Sequence, residues 1–276
     1  MSNVEAAGQS YVLSRSSPEY QRLDRQALIW EAATRAAIAR TGLASGMSAV
    51  DLGCGTGSVM RILGEVVGRQ GLVIGVDGDD PLGTQALEVL RSDGLTGYRF
   101  LKADLSTMPA VEERSFDLVF ARLLVVHLPD PVEALRRFWS WVKPGGALLI
   151  MDVDMTVVRY FPEHAVLKQA HQMVRNLLRG LGKDLEIGTR MPELFRQAAI
   201  GVPDACDVVS KVNVIAAGGG MVRSLLASVR DAALTKNLAS AKELDDIDQR
   251  LSEIAADQVF GRLPDMIATW KRKPIG

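Results

Sequence analysis

The 276-residue chain has little cysteine and little histidine: Cys54 and Cys206, and His127, His164 and His171. Two thiols exclude a disulfide framework and a thiolate-built metal centre, and the three histidines form no recognisable ligand pattern, so no metal site is expected. An excess of charge of one sign is also missing. The 32 Lys and Arg against 33 Asp and Glu leave a formal net charge of -1, so no broad cationic field is offered to nucleic acid or to an anionic membrane. The one basic cluster, Lys271, Arg272 and Lys273, reads as a solvated tail. No apolar run approaches the roughly 20 residues that cross a bilayer. The opening MSNVEAAGQS lacks a basic segment followed by an apolar stretch, which predicts a cytoplasmic protein. What is present, 47% hydrophobic and 24% charged residues, is the composition of a packed globule.

Periodicity orders that globule. Leu23, Ala27, Trp30, Ala33, Ala37 and Ile38 recur at mostly helical spacing and predict an N-terminal helix over 19–40. MSAVDLG then reads as a buried strand ending in a glycine turn, SVMRILGEVVG as a helix, and GLVIGVD as a second strand ending in an acid. A helix over 81–92, strands at 98–103 and 116–122, the helix PVEALRRFWSWV and the strand GGALLIMDVD continue the alternation. Strands apolar throughout and alternating with helices predict a parallel sheet covered on both faces. Ligands of such sheets sit at the carboxyl ends of the strands, where the sequence puts Asp51, Asp77, Asp104, Arg122 and Asp152 or Asp154. Beyond residue 160 the reading gives helices over 163–182 and 189–199, a strand within 205–216, a flexible joint at Gly218–Gly220, a helical stretch over 221–258 and a last strand at MIATWKRK.

The loop Asp51–Gly57, DLGCGTG, places glycines at alternate positions where a strand turns into a helix, so a ligand can approach the backbone closely. The dinucleotide fingerprint G-x-G-x-x-G is not met: the sixth position is Ser58 counted from Gly53 and Met60 counted from Gly55. The loop instead resembles motif I of class I methyltransferases, E/D-x-G-x-G-x-G, with Cys54 filling a variable position. Asp77, 24 residues after Gly53, is similar to the family's ribose-binding acid, and KADL at the end of the third strand to its adenine contact. The run FDLVFARLLVVHLPDPVEALRRFWSWVKPGGALLI resembles the family's fourth strand with its H-L-P-D-P segment and K-P-G-G turn.

The resemblance covers roughly residues 48–153. It implies a Rossmann-like seven-stranded, mostly parallel α/β sheet with helices on both faces, carrying an N-terminal helical arm and a helical cap. It also implies S-adenosyl-L-methionine as cofactor, bound by Asp51, Gly53, Gly55, Gly57, Asp77, Asp104 and the Leu105 amide. Arg122 is either a surface residue or the partner of the cofactor's carboxylate. His127 is a packed histidine, a lining of the methyl site or a general base.

YVLSRSSPEYQRLDRQ resembles the opening segment of small-molecule methyltransferases, which folds over the cofactor. That would bring Tyr11, Leu13, Arg22 and Gln26 near it, with Tyr11 a second candidate base and the arm able to reach a neighbouring subunit in a homo-oligomer. The expected organisation is an arm over 1–42, a core over 43–160 and 200–276, and a cap over about 161–199 and 218–260. Met173, Met221, Met266 and the leucine-rich faces of the cap suggest a small apolar or aromatic acceptor methylated on oxygen or carbon. No D/N-P-P-Y/F motif is present, which disfavours nucleic acid as acceptor. The competing readings are a nicotinamide-dependent oxidoreductase, which lacks the third glycine and a Tyr-x-x-x-Lys pair, and a cofactor-binding protein or cyclase without methyl transfer.

Overall fold

The computed structural model describes residue 13 and residues 17–92, 97–107, 116–256 and 258–275. Its centre is a seven-stranded sheet: β1 (Ser48–Leu52), β2 (Leu72–Asp77), β3 (Tyr98–Lys102), β4 (Phe116–Arg122), β5 (Val142–Asp154), β7 (Ala205–Val209) and β10 (Asp265–Arg272), in the order β3-β2-β1-β4-β5-β10-β7. Pairing is parallel from β3 to β5, whereas β10 runs antiparallel to both β5 and β7. This is the Rossmann-like α/β architecture that the alternation of strands and helices predicts. Chain order reverses between β1 and β4, and side chains at the carboxyl ends there can diverge to leave a cleft.

Three helices cover one face of the sheet: α1 (Ser17–Arg40), α2 (Ser58–Val67) and α3 (Asp80–Ser92). Trp30, Ala33, Val59, Leu63 and Leu90 pack there on Ala49, Leu118, Phe120 and Leu149. On the other face α4 (Pro131–Trp141) and α6 (Ile187–Gln197) bury Leu135, Phe138, Met191 and Phe195 against Val50, Val119 and Leu148. The D-P pair that precedes α4 has a local cause: Asp130 caps the helix by accepting from the Glu133 N–H at 2.9 Å, and Pro131 starts its first turn.

A second layer is built by α5 (Ala165–Gly180), α7 (Gly220–Thr235) and α8 (Ala241–Ser252), whose Leu167, Val174, Leu177, Val229, Leu244 and Ile247 form a separate core. A small antiparallel sheet, β6 (Arg159–Phe161), β9 (Phe260–Arg262) and β8 (Val212–Val214), flanks it. Three expectations change here. The helix over 189–199, read as part of the cap, is α6, and its apolar face packs on the main sheet. The helical stretch over 221–258 is two helices, because Ser240 and Glu243 form a reciprocal capping box that starts α8 anew. The glycine joint is not loose: the Gly218 N–H donates to the Ile254 carbonyl at 2.9 Å, and a Cβ on Gly219 would lie 2.8 Å from Leu251. Among the described residues no helix is long and apolar enough to cross a membrane.

Candidate active site

A cleft of about 620 Å³ opens where the carboxyl ends of β1, β2 and β4 meet α1 and the cap. Its floor is the glycine loop. The Gly53 and Cys54 N–H groups donate to the Val76 carbonyl at 2.8 and 3.1 Å, and the Gly55 N–H donates to Asp77 Oδ2 at 2.9 Å. The turn is thereby stapled to the end of β2. Gly55 has φ +50° and nothing within 4 Å of where a Cβ would stand, so the backbone lies bare toward the cleft. Gly57 does not line the cleft. At φ +77° it turns the chain into α2, and a Cβ there would be 2.9 Å from Ala86.

Four carboxylates surround this floor. Asp77 is clamped, accepting from the Gly55 N–H and, at 2.9 Å, from the Asp79 N–H. Asp79 accepts from the Leu82 N–H at the start of α3 and from Tyr20 Oη of the arm at 2.8 Å. Asp104 accepts from the Ser106 N–H and hydroxyl through Oδ1, while its Oδ2 is buried with no hydrogen-bond partner. Asp51 Oδ2 is likewise buried and unpartnered, and burial pushes this carboxyl up to about 7 against the opposing pull of Arg122. Buried polar atoms are normally satisfied, so two orphaned acceptors on one cleft mark places for donors that the protein itself does not supply.

Arg122 answers the question left open for it: it faces the cleft and not bulk solvent. Its guanidinium donates to Thr34 Oγ1 at 2.9 Å and Ser58 Oγ at 3.1 Å, both neutral, and burial lowers its pKa while Asp51 and Glu31 oppose this. Arg22 has a carboxylate partner. It is buried and forks onto Glu19 at 2.7 and 2.8 Å, reaches Gln26 Oε1 at 3.2 Å, and through Glu19 meets Ser228 of α7.

His127 closes the short 3-10 turn Val125–His127 after β4. Part of the residue is open to the cleft, but protein encloses its ring over the range at which charges are felt; burial, then Lys183 and Arg22, push the imidazole down to about 3. Beneath it Asp152 accepts from the Val126 N–H at 3.1 Å and the Val153 N–H at 3.0 Å, and burial raises its pKa to about 7. The carboxylate fixes the turn that presents His127. Asp154 faces elsewhere, accepting from Thr156 and Thr189.

The structure thus gathers Arg22, Gln26, Asp51, Gly53, Gly55, Asp77, Asp104, Leu105, Arg122 and His127 around one cleft, with Leu13 from the N-terminal segment. Tyr11 lies outside the described residues. Of the three methionines assigned to the cap only Met221 reaches the cleft; Met266 is not in the cap but in β10, its side chain buried in the core of the main sheet, and Met173 packs with the cap core. Asp79, Tyr20, Ser58 and Lys183 also line it and went unseen in the sequence. Asp79 had a signal, standing two residues after Asp77 ahead of a predicted helix. Lys183 had none.

The fold, the glycine loop and the ring of acids define a class I S-adenosylmethionine-dependent methyltransferase. A methyltransferase domain model matches residues 43–198, and the chain belongs to that family. It is 26% identical over 242 residues to the demethylmenaquinone methyltransferase of Lactococcus lactis, covering 83% of this chain and 92% of the relative. It is 30% identical over 180 residues to the 2-phytyl-1,4-naphtoquinone methyltransferase of Thermosynechococcus vestitus, covering 62% and 71%. It spans about half the length of several other relatives. The crystal structure of the YcgJ protein of Bacillus subtilis shares the fold with a TM-score of 0.55 at 18% identity, covering 87% of this chain and 97% of that one.

Proposed function

We propose that this enzyme methylates a small, largely apolar aromatic acceptor, and that the cleft divides into a cofactor floor and an acceptor roof. The two unpartnered carboxylate oxygens, that of Asp51 beside the buried Arg122 guanidinium and that of Asp104, carry the cofactor half of the reading. Asp104 Oδ2, with the Leu105 amide, suits the adenine edge; Asp77, already oriented by two backbone amides, suits the ribose hydroxyls. Arg122 suits the methionyl carboxylate and Asp51 the neighbouring ammonium, since charge-assisted pairs of that kind are the strong ones. Bound there, S-adenosylmethionine supplies an electrophilic methyl group on a sulfonium.

The protein's share is alignment and exclusion of water. Leu13, Leu178, Leu185, Met221, Leu225 and Leu263 wall the far side of the cleft. They form a chamber in keeping with the demethylmenaquinone and phytyl-naphthoquinone named for two of the relatives. His127 lines that chamber as a neutral imidazole, since its pKa of about 3 leaves it unprotonated at neutral pH. Tyr11 and the segment before α1 would close over the pair, a role carried by the resemblance of the Y-x-L opening. Calorimetry with S-adenosylmethionine, S-adenosylhomocysteine and NADP tests the floor. Micromolar binding of the two adenosyl ligands alone is expected, and preference for NADP would overturn the assignment.

A further inference from the structure

One edge of the main sheet carries an apolar strip. β7 ends the seven-stranded sheet and β8 ends the small one, and both belong to one stretch, 205–214, that runs antiparallel to β10 and then to β9. Val209 faces Met266 and Val212 faces Arg262, so three steps along this stretch match four along its partner, and the irregularity lies in the partner strand. The junction is held by the Leu263 N–H donating to the Lys211 carbonyl at 2.9 Å and by Ser210 Oγ donating to Asp265 Oδ1 at 2.6 Å. Cys206, Val208, Ser210, Val212 and Val214 are all exposed, Val208 at 61% and Val212 at 60%. The helix α6 packs on β5 and β10, one strand short of them. A long apolar edge strand is a template for pairing with another chain, and proteins ordinarily blunt or cover it.

Backbone and charge together limit what can pair there. The Lys211 carbonyl and the Ile215 N–H turn inward, to Leu263 and Val259. Backbone direction alternates along a strand, so Val212 and Val214, and through the continuous stretch the even positions before them, turn theirs outward. An added antiparallel strand of the same sequence must then set even positions opposite even positions. Charge selects among those registers. Asp207 is held by Arg40 of α1, while Lys211 donates to the Ile29 carbonyl with its ammonium 5.7 Å from the Trp30 ring centroid, so both side chains lie on the α1 face. Among the described residues no carboxylate pairs with Lys211. We infer that two copies of this chain join through 205–214, antiparallel about a twofold axis at Val209. That register sets Asp207 of each copy opposite Lys211 of the other, Cys206 opposite Val212, and Val208 opposite Ser210. The two charge pairs fall at non-hydrogen-bonded positions, where side chains across a strand pair are closest. A pairing with twofold symmetry closes on itself and stops at a dimer. The stretch and its approach carry Asp204, Asp207 and Lys211, without the excess of positive charge that an anionic membrane would attract.

The test is sedimentation of the full chain, with circular dichroism to report that each variant is folded. The parent should sediment as a dimer at micromolar concentration. Lys211→Glu sets like charges opposite each other on both sides of the axis and should raise the dissociation constant by about tenfold. Val212→Pro removes an outward N–H, which an edge strand tolerates, and should give a folded monomer. Val212→Cys tests the register: directly opposite positions are about 5.5 Å apart at Cα, within disulfide range, so mild oxidation should link it to Cys206 of the second copy. Adding Lys211→Glu should weaken that link, and the parent, whose Cys206 thiols stand at opposite ends of the paired stretch, should form none. A monomeric parent overturns the inference, as does a dimer that both Lys211→Glu and Val212→Pro leave intact. A disulfide in the parent, or none in Val212→Cys, overturns the register about Val209. A parent that is monomeric alone but sediments with vesicles of phosphatidylserine and phosphatidylcholine would make the strip a lipid contact instead.

Discussion

The floor and the roof of the cleft are made differently. The floor is polar, short in sequence and rigid: Asp51, Asp77 and Asp104 each follow or end a parallel strand, and backbone amides of neighbouring turns hold Asp77 in place. The roof is assembled from α1, the loop after α5, and α7, which are far apart in sequence and meet through apolar contacts and one buried ion pair. A floor of this kind is suited to one invariant ligand, while a roof of helices can be repacked for different acceptors without disturbing the sheet.

Four measurements sharpen or break that contrast. The largest effect is expected at the arm. Glu19→Gln leaves the Arg22 guanidinium buried without its carboxylate, which costs about 3–5 kcal/mol. A melting temperature close to the parent's would mean that Arg22 finds another partner, and that the roof is not pinned at this point.

Next comes a pH dependence in the floor. Folded Asp51 holds its proton up to about 7, so the stability it contributes is complete below the ordinary carboxylate range and is withdrawn as pH rises through about 7, by roughly 4 kcal/mol. Without cofactor, Asp51→Asn should match the parent near pH 4 and melt higher at pH 8, while binding S-adenosylmethionine more weakly. His127 works in the opposite sense. Its contribution is complete above the ordinary imidazole range and is lost as pH falls toward about 3, so it cannot produce the same trend. Parallel melting curves for parent and Asp51→Asn across this range would refute the buried-acid account.

Asp77→Ala should weaken S-adenosylmethionine binding by about 1.5–3 kcal/mol, the range for hydrogen bonds to a charged group. An unchanged dissociation constant by calorimetry would remove Asp77 from the ribose. The smallest effect belongs to the roof's periphery. Ser240→Ala removes the cap of α8 and should cost about 1 kcal/mol of stability, with no change in cofactor affinity. A parallel loss of affinity would show that floor and roof are not separable.

The same contrast decides what the sequence made legible. The central strands β1, β2 and β4 are short apolar runs that end at or beside an acid or an arginine, and the glycine loop turns directly into a helix, so these strands and the residues at their carboxyl ends could be read from the sequence. Local signals serve less well above the floor. The apolar face of α6 looks like that of a cap helix, and only the sheet beside it shows where it packs. The S-A-K-E capping box that separates α7 from α8 was present in the sequence but was outweighed by the continuing helical pattern. Lys183 sits in GLGKDLE, which has no periodicity, and its place beside His127 depends on the path of the chain after α5. Arg22 was legible as a residue of the cleft, but its buried bond to Glu19 was not, because two charges three apart on a helix are usually exposed.

The N-terminal helix touches both halves of the cleft within a single turn of its length. Tyr20 donates to Asp79 at the floor, while Glu19 accepts from Ser228 in the roof. One helix is therefore bonded to both sides of the cleft. Any gain in acceptor affinity on loading the adenosyl ligand must be matched by an equal gain in adenosyl affinity on loading the acceptor.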